Sequence, residues 1–167
     1  MTTKTADTKK IKLTDVRKCL HPNCVVCSRL NTRGLQLEFD LCEDGSVTSE
    51  FEFDETLEGY PGTLHGGIIA SIFDGAMGNC LFAQGCTPVT AELNIRFRHP
   101  VAMHKSAKVS TRIARSSNSL YVLKAEIIQN GQIKATGEGK FINLPNLMNE
   151  KDAVYERSGN KNGCKSR

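Results

Sequence analysis

Hydrophobic and polar positions recur along this chain with two different periods. From Leu35 to Leu41, apolar Leu35, Leu37, Phe39 and Leu41 alternate with Gln36, Glu38 and Asp40. A period of two predicts a strand with one buried face. Glu43-Asp44-Gly45 supplies a hairpin turn, and Val47 to Phe53 alternates again as the second strand. The period then changes. Ile68, Ile72, Ala76 and Cys80 recur every four residues, with Ile69, Phe73, Met77 and Leu81 as a second row beside them. Two such rows make a wide apolar stripe, so a helix from about His65 to Ala83 is expected to be buried over most of its surface. Gly85 stops it. Val89, Ala91, Leu93, Ile95 and Phe97 then alternate with Thr90, Glu92, Asn94, Arg96 and Arg98, predicting a long strand with one apolar and one polar face that Pro100 ends. Ala107 to Ala114, Leu120 to Gln129 and Ile133 to Leu144 give three more strands, with turns at Ser116 to Ser119 and Asn130-Gly131.

Two strands, one long helix and four antiparallel strands add up to an α+β domain, a sheet wrapped around one buried helix. The expected organisation is a flexible leader over residues 1–18, one domain over 19–145 and a polar tail over 146–167. No second domain or internal repeat is visible.

Composition narrows the function classes. At 39% hydrophobic and 24% charged residues, the chain reads as an ordinary globular protein. A net charge of +4 is too mild to imply nucleic acid and suits an anionic small ligand. No apolar run is long enough to span a membrane, and the polar start lacks the apolar stretch of a signal peptide, so a cytoplasmic protein is expected. Seven scattered cysteines, an odd number, argue against a disulfide framework and for reduced thiols. Cys19, His21, Cys24 and Cys27 are four potential zinc ligands within nine residues. Their spacing is tight and no second Cys-x-x-Cys follows. The favoured reading is therefore a turn whose small thiols pack under the sheet, with no metal.

The chemistry concentrates on the central helix. Asp74 interrupts the apolar stripe, and a carboxylate there is costly unless it is paired or used. Shielded from water beside Phe73 and Met77, it suits a general base or nucleophile. At the helix start, Gly66 and Gly67 lie where backbone N–H groups lack partners and the helix dipole is positive. Without side chains they let a developing oxyanion approach, with Gly66 as donor and Gly67 allowing close packing. His65 and Asp74 are nine residues apart, roughly 13 Å at about 1.5 Å per residue. That is far for one reacting carbon. Two antiparallel helices from a two-fold dimer would bring the glycine end of one chain to the aspartate of the other.

His65-Gly66-Gly67, Asp74 and the strand Val89-Thr90-Ala91-Glu92-Leu93-Asn94-Ile95 together resemble the hotdog-fold acyl-CoA thioesterases, of PaaI-like and THEM type. The segment Cys24-Val25-Val26-Cys27-Ser28-Arg29-Leu30-Asn31-Thr32-Arg33-Gly34-Leu35 is similar to the Cys-x-x-Cys-Gly-x-x-Asn-Pro-x-Gly-Leu run of many members, with Ser28 for the glycine and Thr32 for the proline. The resemblance spans roughly residues 19–145. It implies the hotdog fold, a homodimer or a dimer-of-dimers tetramer, and hydrolysis of an acyl-CoA with no metal or redox cofactor. Thr90 matches a Ser/Thr position that places water near the acid, and His65 orients the loop or touches the thioester. Gly59 is a departure, because some members have an asparagine there that polarises the thioester carbonyl. Arg96 and Arg98 are candidates for the phosphates of coenzyme A. Phe73 and Met77, with Phe51 and Phe82, are candidates for the acyl tunnel. The alternative is a protein of the same fold that binds acyl thioesters without hydrolysing them.

Overall fold

The computed structural model describes Arg17 and residues 21–145, so the expected tail, most of the expected leader and Cys19 at the start of the expected domain lie outside the described residues. The elements are β1 (Asp40–Leu41), β2 (Val47–Phe51), a 3-10 turn (Glu55–Leu57), β3 (Glu58–Tyr60), β4 (Thr63–Leu64), α1 (Gly66–Phe82), β5 (Pro88–Phe97), β6 (Ala107–Ser117), β7 (Leu120–Gln129) and β8 (Gln132–Asn143). Six strands form one antiparallel sheet in the order β1-β2-β6-β7-β8-β5, and β3 pairs with β4 in a small hairpin. The helix packs against β2, β5, β6 and β7.

The long strands follow from their alternation and from turn chemistry. Asn130 and Gly131 both hold positive φ, 54° and 73°, as the two-residue turn between β7 and β8 requires. Asn118, at φ 51°, serves the β6–β7 hairpin. Along α1 both apolar rows are buried, apart from half-buried Ile68. Gly137 and Gly139 of β8 make room where the helix crosses. A Cβ at Gly137 would come within 3.2 Å of the Phe73 ring, and one at Gly139 within 2.5 Å of the Met77 sulfur. Gln129 is buried at the end of β7 and clamps the loop before β6. Its Oε1 accepts from the Ala102 N–H (2.8 Å), and its Nε2 donates to the Ala102 and Lys105 carbonyls (2.9 and 3.1 Å).

Three expectations need correction. The first strand reaches only Asp40–Leu41. Leu37 and Phe39 are buried as the alternation requires, but the Leu35 and Leu37 N–H groups bond to the Val25 and Val26 carbonyls of the preceding turn instead of a neighbouring strand. The loop before the helix contains the β3–β4 hairpin, too short for a periodic pattern to reveal. On β5 the apolar row is not buried within the chain. Leu93 and Ile95 are half-buried, while Val89 and Phe97 are exposed and the register shifts between Thr90 and Glu92. No helix among the described residues is long and apolar enough to cross a membrane.

Candidate active site

The helix start is built by His65. It is the N-cap, in extended conformation, and its Nδ1 accepts a hydrogen bond from the Gly67 N–H at 2.8 Å. A side-chain acceptor at this position satisfies one of the orphan donors of the first turn. A ring nitrogen that accepts carries no proton, so in this arrangement the imidazole is neutral with its hydrogen on Nε2. The His65 backbone is held in turn: its N–H donates to Leu57, and its carbonyl accepts from Ile68 and Ile69. The Gly66 N–H, in contrast, has no hydrogen-bond partner among the described residues. A donor left free at a helix N-terminus suits an anionic oxygen.

Close packing shapes this end further. A Cβ at Gly59 would lie 3.2 Å from the His65 ring and backbone, so the glycine seats the histidine directly. A Cβ on Gly67 would meet His65 Nδ1 at 3.0 Å. The Phe97 ring stands over Gly66, 3.5 Å from where a Cβ would be, although Phe97 is 56% exposed. Phe97 is the one contributor to this end that residue pattern did not single out. The available signal was its place as the last apolar position of the β5 alternation.

Asp74 lies further along the same flank. Gly67, Ala70, Ser71 and Asp74 follow one another at helical spacing, and all are exposed or half-buried. The expectation of a carboxylate enclosed in the core is thus corrected. Asp74 falls off the edge of the apolar stripe, because its 100° step from Phe73 carries it to the open side. Its Oδ1 accepts a 2.6 Å hydrogen bond from Thr90 Oγ1 of β5. A hydroxyl that donates to a carboxylate fixes its orientation, and such charge-assisted bonds are short and strong. The structure therefore brings Asp74 and Thr90 together. It keeps Gly66 and His65 at the far end of two helical turns, as the spacing requires.

The remaining candidates divide. Arg96 on β5 and Arg98 just after it are exposed, with no ion pair among the described residues. Phe73 and Met77 are fully buried against Gly137 and Gly139, and Phe51 and Phe82 are buried too. Within one chain these four are packed core. An open depression on the surface is lined by Cys42, Asp44, Thr48, Lys108 and Glu126 instead.

A second group, His21, Cys24 and Cys27, comes together outside this site. Cys24, Cys27, Cys42, Cys80 and Cys86 are free thiols. Cys24 is held below the ordinary thiol range chiefly by a hydrogen bond from the Cys27 thiol, against the opposing effect of burial. The same bond, followed by burial, pushes Cys27 up. Burial likewise raises Cys80, to about 11.

Comparison with known proteins agrees with this architecture. Residues 61–136, just under half of the chain, match the family model described as Thioesterase superfamily. The chain is 29% identical over 96 residues to acyl-coenzyme A thioesterase THEM4 of Bos taurus, covering 56% of this chain and 39% of that protein. It thus spans less than half the length of the curated relatives it matches. A solved thioesterase superfamily protein superposes with a TM-score of 0.68 at 23% identity, over 71% of this chain and 62% of that one. A Streptococcus mutans protein bound to acetyl CoA superposes at 0.61 with 18% identity, over 65% and 88%. The sheet and central helix are the hotdog fold, and residues 61–136 are similar to the thioesterase superfamily.

Proposed function

We propose that this chain hydrolyses an acyl-CoA thioester to the free acid and coenzyme A. The observation that carries the proposal is the Asp74–Thr90 pair, a hydroxyl-anchored carboxylate on the one open flank of an otherwise buried helix. The similarity of this segment to acyl-coenzyme A thioesterases adds to it. In the proposed reaction Asp74 takes a proton from water, and the hydroxide attacks the thioester carbon. The alternative route is direct attack by the carboxylate, giving an anhydride that water then opens. In either case the carbonyl oxygen becomes an anion facing the Gly66 N–H, and the coenzyme A thiolate leaves. His65 holds the glycine turn, Thr90 sets the carboxylate, and Gly67 keeps the approach clear. Arg96 and Arg98 offer planar guanidinium groups to the phosphates.

The Asp74–Gly66 separation calls for two copies. β5 supports this assembly, because its ten residues form an open sheet edge with exposed Val89 and Phe97. An unpaired edge of that length is a template for another strand. Antiparallel pairing of β5 with its own copy would continue the sheet across a two-fold axis. It would cover Phe97 and set Gly66 and His65 of one chain toward Asp74 of the other. Tetramers would form by pairing such dimers.

The test is steady-state hydrolysis of aromatic and straight-chain acyl-CoAs by wild type and Asp74→Asn, with the mass in solution measured alongside. Hydrolysis by wild type that the variant loses supports the proposal. A wild type inert on every ester, yet binding them tightly, would convert this reading into a non-catalytic acyl-thioester-binding protein. An active monomer would sink the shared site.

A further inference from the structure

His21, Cys24 and Cys27 come together on the side of α1 away from Asp74. One ring nitrogen and the two Sγ atoms all lie within 4.8 Å of one another. A tetrahedral zinc ion, with bonds of about 2.3 Å to sulfur and about 2.1 Å to nitrogen, sets its ligands roughly 3.6 Å apart. The cluster therefore needs only a small contraction to close on an ion.

Three further observations point the same way. His21 Nδ1 is buried with no hydrogen-bond partner among the described residues. Buried polar atoms are nearly always satisfied, so an orphan beside two thiols marks a missing partner. The ring cannot easily turn away, since it stands edge-on to Phe82 with centroids 4.8 Å apart at 88°. The Cys-x-x-Cys turn is also wound as a ligand loop. The Val26 N–H points at Cys24 Sγ (3.4 Å), the Ser28 N–H closes on the Cys24 carbonyl (3.1 Å), and Ser28 Oγ ties back to Pro22 (2.6 Å). An N–H aimed at sulfur favours a thiolate, the form that binds metal. Arg17 completes the surroundings, donating to the Cys27 and Leu37 carbonyls (3.2 and 3.4 Å) and adding positive charge beside Cys27.

We propose that His21, Cys24 and Cys27 bind a thiophilic divalent cation, zinc by the softness of the ligands, and that this ion pins the chain before β1 to the second half of α1. Two thiolates and an imidazole are a ligand set that selects zinc over magnesium or calcium. The site is structural in placement. Val26 packs on Gly75, Cys27 is buried, and His21 touches Phe82, so the ion would fix the helix from behind the flank that carries Asp74. A disulfide between Cys24 and Cys27 would use the same sulfurs but leave the histidine nitrogen without a partner.

The test uses the full chain, without a polyhistidine tag, produced in zinc-supplemented medium and dialysed against zinc-free buffer. Atomic emission reads retained zinc, and Co2+ added to stripped protein is followed by absorbance. A single zinc ion per chain is expected, with sulfur-to-cobalt charge transfer in the near ultraviolet and the visible bands of a tetrahedral site. Cys24→Ser and Cys27→Ser should each lose the retained zinc and most of the charge-transfer band. His21→Ala should keep the band while weakening zinc by roughly tenfold or more, with altered visible bands. Wild type that retains no zinc and shows no charge transfer overturns the proposal, whatever the variants do. So does a band that survives both serine variants, a His21→Ala protein indistinguishable from wild type, or a thiol titration, run in denaturant with a chelator, that is two sulfhydryls short in freshly isolated protein.

Discussion

Asp74 and Gly75 are neighbours on α1, yet the helix treats them oppositely. Asp74 opens onto a flank of Gly67, Ala70 and Ser71, and its carboxylate is held by one hydroxyl from β5. Gly75 lies under Val26, where a Cβ would collide with a β-branched side chain. On the first flank the chain leaves a donor and a charge available: the Gly66 N–H, with the Phe97 ring above it, and the Asp74 carboxylate. On the second, Val26, Cys27, Asn79 and Phe82 close the space, and the turn before β1 is tied down by backbone bonds to Leu35 and Leu37. The sheet edges show the same contrast. β1 is two residues long, whereas β5 is a ten-residue open edge. One side of the molecule is closed within the chain and the other is open.

Substitutions on the two flanks should therefore separate chemistry from stability. Asp74→Asn keeps the shape and an acceptor for Thr90 but removes the charge. It should reduce acyl-CoA hydrolysis by roughly a hundredfold or more with the melting temperature nearly unchanged, the scale of a lost general base. Unchanged turnover in a steady-state assay would remove Asp74 from the mechanism. Gly75→Ala should do the reverse. Overpacking against Val26 costs about 1–3 kcal/mol, of which helix propensity returns at most about 1. Urea denaturation should show the loss, and a variant as stable as wild type would mean that Val26 gives way freely.

Thr90→Val removes one hydroxyl and nearly no volume. With Asp74 still charged but no longer held, kcat should fall about tenfold, the effect of losing roughly 1.4 kcal/mol of positioning, while KM changes little. A pure rise in KM would instead make Thr90 a substrate contact. The smallest effect is expected from His65→Ala, which deletes the cap on Gly67. Such caps contribute about 1 kcal/mol, so chemical denaturation should report a loss of that size. His65→Asn, which can still cap, should recover most of it; failure to recover would show that the imidazole packed against Gly59 matters more than its acceptor.

Much of the fold was legible because its elements are long and strictly periodic. Leu120–Gln129 was delimited from alternation alone, and α1 to within a residue of each end, because His65 caps it and the chain turns at Gly85. The elements that pattern failed to delimit are short or bound to irregular partners. β3 and β4 offer no repeat to read, and residues 35–37 alternate properly but pair with a turn. The candidate site was legible as residue types at Asp74, His65 and Gly66, and Thr90 only through the resemblance. What could not be read was exposure. A helical row says which residues share a face, but not where the sheet stops covering it, and that limit placed Asp74 on the open flank and Phe73 and Met77 in the core.

By itself, the sequence determined the two periodicities, the turns and the chemical groups, since these depend on local geometry and side-chain type. The tertiary structure decided which atoms meet. The Asp74–Thr90 bond joins α1 to β5, and His21 reaches Phe82 across sixty-one positions of chain. No local rule sets such contacts, because they follow from how a twisted sheet and a helix fill the space between them.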